Sequence, residues 1–223
     1  QPYFSDQFYN PSATYLAARE VSDRLETARG VVAHWLGARP AEIVFTAGGT
    51  EANNLAIHGV MRQFPDANIV VSAVEHESVL SPAHDYECRE IALQKDGTVD
   101  LEVLKNTIDD KTVLVSVMYA NNEIGTIEPI REIAEIVRQK RAERARHLPL
   151  YFHTDACQAA NYLDLHVARL GVDMLTLNGG KIYGPKQSGV LFVGSRVALK
   201  PLIQGGGQER MLRSGTENVA QSI

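Results

Sequence analysis

Cysteine is nearly missing from this chain of 223 residues; Cys88 and Cys157 are its only two. Two such thiols build neither a disulfide framework nor a cysteine-rich metal cluster, and the default compartment they imply is a reducing cytoplasm. Positive charge is also in short supply. Lys and Arg number 22 against 27 Asp and Glu, and the formal net charge of −5 argues against broad attraction to nucleic acid or anionic membrane. No apolar run is long enough to span a bilayer, and no basic-then-apolar signal segment stands at the start. Internal repeats and low-complexity stretches are absent as well. What is there is an ordinary balance, 44% hydrophobic and 22% charged, with enough chain for one large α/β domain. The chain opens at Gln1 rather than a methionine and stops at Ile223 within "TENVAQSI", which reads as the start of a helix, so missing ends are expected.

Strand and helix signals alternate along the chain. "NPSATYLAAREVSDRLETARGVVAHWLG" sets Leu16, Val21, Leu25, Ala28, Val32 and Trp35 at helical spacing and closes on Gly37. Continuously apolar strands are expected at "EIVFTA", "NIVVSAV", "ECREIALQ", "TVLVSVMYA", "LYFHT", "DMLTLN" and "GVLFVG". Helices are expected at "TEANNLAIHGVMRQF", "VDLEVLKNTI", Pro129 to His147 and "LHVARLG". Strands without polar alternation need helices on both faces of the sheet, so the pattern predicts a mainly parallel, doubly wound sheet in three layers. The basic run "RQKRAERAR" has no interleaved aromatics and reads as a solvated helix face, with a docking surface for an acidic partner as the alternative.

In open α/β sheets, ligands sit beyond the C-terminal ends of the strands. Collecting those ends gives Gly48, Gly49 and Thr50, then Glu75 and His76, then Asn121, Asn122 and Glu123, then Asp155 and Gln158, and finally Lys181. Each has a structural explanation alone: a tight turn, a core histidine, a helix cap, an ion-pair partner. Together they suit a phosphorylated cofactor whose aldehyde condenses with a lysine. The N–H groups of Gly49 and Thr50 would take a phosphate at a helix N-terminus, Asp155 would keep a ring nitrogen protonated, His76 would lie against the ring or move protons, and Lys181 would form the Schiff base. No Walker A pattern surrounds Lys181, and "GGTEANN" lacks dinucleotide spacing, so ATP and NAD are weaker candidates than pyridoxal 5'-phosphate.

The blocks "NPSA", "EIVFTAGGTEANNLAIHG", "EHESVL", "NNEIGTIEPI", "HTDACQA", "GGKIYGPKQSGVLFVG" and "GGGQERMLRSGTEN" resemble, in order, those of cysteine desulfurases, class V members of the fold-type I pyridoxal-phosphate enzymes. The resemblance implies that residues 1–223 form the cofactor-binding large domain, with the family's N-terminal segment and C-terminal small domain outside this chain. It implies Lys181 as the Schiff-base lysine, Asp155 at the ring nitrogen, Gln158 and Asn121 on the ring-hydroxyl side, His76 stacked on the ring, and Gly49 and Thr50 at the phosphate. Thr216 would reach the cofactor phosphate of a neighbouring subunit in a homodimer. The implied reaction takes sulfur from L-cysteine, leaves alanine, and passes the sulfur as an enzyme persulfide to an iron–sulfur scaffold or tRNA-thiolation protein.

Where the family usually has serine and histidine, this chain has Asn178 and Gly180. Losing a hydrogen bond to a charged phosphate costs on the order of 1.5–3 kcal/mol, so weakened cofactor retention is expected. The family's nucleophilic cysteine and its carboxylate-gripping arginine fall beyond Ile223, so residues 1–223 alone are expected to turn over cysteine poorly, and Cys157 reads as a small packing residue. The alternatives are a selenocysteine lyase or another class V enzyme, and a non-catalytic binding module for sulfur-transfer partners.

Overall fold

A computed structural model describes residues 2–144 and 148–223. Among these, seven strands join in one sheet: β1 (Ile43–Thr46), β2 (Asn68–Ser72), β3 (Glu87–Ile91), β4 (Thr112–Ser116), β5 (Tyr151–Asp155), β6 (Met174–Asn178) and β7 (Gly189–Val193). Their order is β1-β7-β6-β5-β4-β2-β3. Only β7 runs against its neighbours, pairing antiparallel with both β1 and β6. The segment from Asn178 to Gly189 holds only a short 3-10 turn, too little chain for the helical crossover that a parallel partner needs. The consequence matters for the site: β1, β2, β4, β5 and β6 all end on one rim, and β7 starts there.

Side chains along each central strand alternate between two cores. Ile43, Val70, Val115, Phe152, Leu175 and Phe192 point to one face, packed beneath α1 (Leu16–Leu36), α4 (Leu101–Thr107), α5 (Ile130–Glu143) and α6 (Val167–Leu170). Val44, Ile69, Val71, Leu114, Met174 and Leu191 point to the other, beneath α2 (Gly49–Met61) and α3 (Glu77–Ala83). Both faces being covered explains the unbroken apolar strands, and the three-layer α/β sandwich is the expected one. A last short helix, α7 (Val219–Ser222), follows a long irregular segment.

Three expectations need correction. The buried stripe of α1 is Ala18, Val21, Leu25, Arg29, Ala33 and Leu36, whereas Leu16 and Trp35 are 74% and 79% exposed. Gly37 does close this helix, in the left-handed region at φ 62°. Pro129 caps α5 from outside rather than opening its first turn, and the expected extension through 145–147 lies outside the described residues. Nor is the basic run simply solvated over the part described, residues 138–144. Arg141 turns inward to donate to the Leu150 carbonyl and to the buried carboxylate of Asp173, at 2.8 and 2.6 Å. Helix α3 was not anticipated at all.

Candidate active site

The turn between β1 and α2 depends on glycine. Gly48 takes φ 149° and ψ 180°, open to a residue without Cβ. A Cβ on Gly49 would come within 2.8 Å of Cys157 Sγ, and one on Gly189, at the start of β7, within 2.5 Å of the Gly48 backbone. Two other chain segments therefore close on a turn that leaves the first N–H groups of α2 without intrahelical partners, at the positive end of the helix dipole.

In front of that turn lies a cavity of about 150 Å³, lined by Gly49, Thr50, His76, Asp155, Gln158 and Lys181 among others. It shares Gly49, Thr50, Asn178 and Lys181 with an outer cleft of about 690 Å³ that adds Gly180 and Lys186. Lys181 sits in a 3-10 turn directly after β6, and the Asn178 side chain caps that turn by accepting from the Gly180 N–H at 3.0 Å. A Cβ on Gly180 would meet Asn178 Oδ1 at 3.3 Å and Lys186 Cγ at 3.8 Å, so a larger side chain has room with a slight shift.

Asp155 ends β5 and is 6% exposed. Its Oδ1 accepts from the Cys157 N–H at 2.9 Å and its Oδ2 from Asn53 Nδ2 at 2.7 Å. Asn53, fully buried on α2, donates its second amide hydrogen to Ser78 Oγ at 2.8 Å, while its own Oδ1 has no partner. His76 is the N-cap of α3 and accepts the Ser78 N–H at Nδ1, 3.0 Å away. Beneath Asp155, His153 links three strands, with Nδ1 2.8 Å from Ser116 Oγ and Nε2 3.0 Å from Thr176 Oγ1. Burial pushes its pKa down to about 4, against the opposing pull of the Asp155 charge, so its ring is neutral at neutral pH.

Glu75, three residues past the end of β2, is buried too. Its Oε1 accepts from the Ser72 hydroxyl and from the Met118 N–H at 2.6 Å, and Oε2 has no partner. Burial raises its pKa to about 8, outweighing those two bonds, and the nearby Asp155 and Glu128 charges add to the rise. Neither thiol is activated. Burial and the neighbouring Asp155 hold Cys157 well above the usual thiol range, and burial lifts Cys88 to about 11 with help from Glu90.

Seven of the ten expected site residues thus meet around the inner cavity: Gly49, Thr50, His76, Asp155, Gln158, Asn178 and Lys181. Gly180 lies on the outer cleft. Asn121 is not among the inner lining. Its amide donates to the Val74 carbonyl at 3.0 Å and accepts from the Glu123 and Ile124 N–H groups, so it shapes the loop, and Asn122 lines the cavity instead. Thr216 lines a separate cavity of about 80 Å³ with Phe45, Glu209 and Arg213. Asn53 and Ser78 were missed; they lie near the starts of α2 and α3, and with α3 unanticipated the sequence carried no signal that brings the two together.

A lysine and a buried carboxylate lining one cavity on the rim of a mainly parallel sheet, beside an open helix start, is the plan of the fold-type I pyridoxal-phosphate enzymes. Within that class the chain belongs to the aminotransferase class-V family, whose model matches residues 1–223. It is 41% identical to the cysteine desulfurase IscS of Dictyoglomus turgidum, over 100% of this chain and 56% of that protein. To the cysteine desulfurase IscS 1 of Archaeoglobus fulgidus it is 42% identical over 98% of this chain and 56% of the other. Among solved structures, a NifS-like protein superposes with a TM-score of 0.93 at 33% identity, covering 99% of this chain and 61% of that one. SspA in complex with cysteine gives 0.92 at 35%, covering 100% and 64%. The chain therefore spans little more than half the length of the curated relatives it matches.

Proposed function

We propose that this chain is the cofactor-binding large domain of a pyridoxal-phosphate-dependent cysteine desulfurase, converting L-cysteine to L-alanine and carrying the sulfur as a persulfide. The observation that carries this is the single cavity lined by Lys181, Asp155 and the start of α2. Relatives about 40% identical are cysteine desulfurases, and one similar solved structure holds cysteine.

The residues fit the group. Gly49 and Thr50 offer unpaired N–H donors for the phosphate, and Asn178 and Lys186 stand on the same cleft. Asp155, already accepting two hydrogen bonds, offers its carboxylate to hold a proton on the ring nitrogen. Lys181 offers the amine that would hold the aldehyde and, once free, carry a proton. Gln158 and Asn122 are polar groups positioned to orient the ring, and His76 to cover it. The cofactor, when bound, supplies an electron sink.

Neither Cys88 nor Cys157 suits the attacking role, since each thiol is held in its protonated form. We therefore assign the persulfide carrier to the portion of the relatives' length that this chain does not span. The same proposal makes the protein a homodimer, with Thr216 serving the neighbouring subunit, and places it in the cytoplasm delivering sulfur to an iron–sulfur scaffold or tRNA-thiolation protein. No described helix is long and apolar enough to cross a membrane.

The full chain titrated with pyridoxal 5'-phosphate should gain a visible absorption band, and Lys181→Ala should abolish it. In the full-length protein, alanine and sulfide production from L-cysteine, read beside selenide production from selenocysteine, fixes the substrate. A colourless protein at saturating cofactor overturns the assignment.

A further inference from the structure

Every hydrogen in the buried bridge between Asp155 and His76 can be placed from donor chemistry alone. The amide of Asn53 reaches Asp155 Oδ2 at 2.7 Å and Ser78 Oγ at 2.8 Å through one nitrogen. An amide NH₂ carries two hydrogens, and both are used. Exchanging its nitrogen and oxygen would set oxygen against a carboxylate oxygen at the same 2.7 Å, a repulsive contact. The donors must therefore face the carboxylate, although this leaves Asn53 Oδ1 buried and unpartnered.

Ser78 continues the direction. Its hydroxyl oxygen accepts from Asn53, so its own hydrogen is free to point at His76 Nδ1, 2.8 Å away. The Ser78 backbone N–H donates to the same nitrogen at 3.0 Å, and a backbone N–H cannot accept. His76 Nδ1 is therefore an acceptor without hydrogen, and the neutral ring carries its hydrogen on Nε2. Both ends of the bridge, Asp155 and His76, line the inner cavity.

We propose that Asn53 and Ser78 are positioning residues that join the Asp155 carboxylate to the His76 ring, aiming the former and holding the latter with its proton on Nε2. The two groups so held are the ones proposed above to hold the ring nitrogen's proton and to cover the ring. In that sense the proposal rests on the cofactor assignment, but the bonds themselves do not depend on it. A Nε2–H ring presents a hydrogen-bond donor to the cavity. Taking a proton at Nδ1 would set two donors against each other at the start of α3.

The test reads the His76 ring nitrogens by ¹⁵N-correlated NMR in the full chain without cofactor, assigned through His76→Gln. Wild type should show the Nε2–H tautomer. Ser78→Ala, and the near-isosteric Asn53→Asp, which offers at most one donor, should each lower the tautomer ratio roughly fivefold, the weight of one ordinary hydrogen bond. Ser78→Thr should restore it. Urea midpoints of the same variants identify any that have merely lost the fold. A wild-type ring protonated at Nδ1, or His76 signals unmoved in folded Ser78→Ala and Asn53→Asp, overturns the proposal. Correct His76 signals in a chain that fails to take up pyridoxal 5'-phosphate uphold it while removing the cofactor assignment.

Discussion

Glu75 and His153 are two buried titratable groups beside the site, displaced in opposite directions, and their effects on stability have opposite signs. Glu75 ionises at about 8 in the fold against 4.5 ordinarily, so across that window the folded state binds the extra proton and stability falls as pH rises. His153 titrates at about 4 against 6.5, so the unfolded state binds the extra proton and stability rises with pH across that range. Where the windows overlap the two slopes offset each other. Above 6.5 only Glu75 acts, at up to about 1.4 kcal/mol per pH unit, until its folded pKa is passed. Glu75→Gln should therefore flatten the decline between pH 6.5 and about 8, measured as urea midpoints at each pH, and unmask a rise with pH between 4.5 and 6.5 where the two slopes cancel in wild type. A variant curve parallel to wild type above 6.5 would sink this assignment of the neutral carboxyl.

Helix α1 shows how one charge can belong in an apolar stripe. Arg29, 3% exposed, donates to Glu209 at 2.7 and 2.8 Å and to the Ile43 carbonyl at 2.9 Å, and lies 4.5 Å over the Phe45 ring. Glu209 also accepts the Phe45 N–H at 2.8 Å, and it opens a run of three residues, Glu209, Arg210 and Met211, at φ 45°, 56° and 66°. Left-handed conformations are costly for such side chains, so the ion pair is what pins this segment to β1. Glu209→Leu should cost about 3 kcal/mol, because it leaves the buried guanidinium with only the half-exposed Glu26 as a carboxylate partner, whereas Arg29→Met combined with Glu209→Leu should recover much of that loss in urea unfolding. A double variant no more stable than the single would refute the pairing as the cause. The same helix marks the limit of what the sequence reveals. Its existence and its Gly37 stop were legible in spacing, as were all seven strands, but a search for apolar residues passed over Arg29 and took Trp35 for core. Helix α3 escaped notice because seven residues containing Pro82 carry little periodicity. The strand ends that gather Lys181 and Asp155 could be read from alternation alone. Asn53 and Ser78 could not, because a hydrogen-bonded bridge between two helix starts leaves no repeat in the chain. The reversed sense of β7 was in principle visible, since the link before it is too short for a crossover.

At the scale of the whole molecule, the placement of Thr216 decides whether a site belongs to one chain or two. Thr216 lines a cavity that shares no residue with the inner cavity of Lys181 and Asp155 and only Ala47 with the outer cleft, which favours service to a neighbouring subunit's cofactor over its own. If it reaches a neighbour's phosphate, the two functions can be separated onto different subunits. Lys181→Ala should abolish the covalent cofactor band, and Thr216→Ala should weaken affinity roughly tenfold or more, the equivalent of one hydrogen bond to a charged group. Unfolding and refolding the two variants together should then yield mixed dimers. In each of these, one site combines intact Lys181 with an intact Thr216 from the partner subunit, and the other lacks both. Part of the cofactor band should then titrate with wild-type affinity. A Thr216 acting within its own chain predicts no such fraction, since every Lys181 would still sit beside an alanine at position 216. Titrating the refolded mixture, with each variant refolded alone as its control, distinguishes the two arrangements: a high-affinity fraction only in the mixture requires a shared site, and its absence in mixtures shown to contain mixed dimers excludes one.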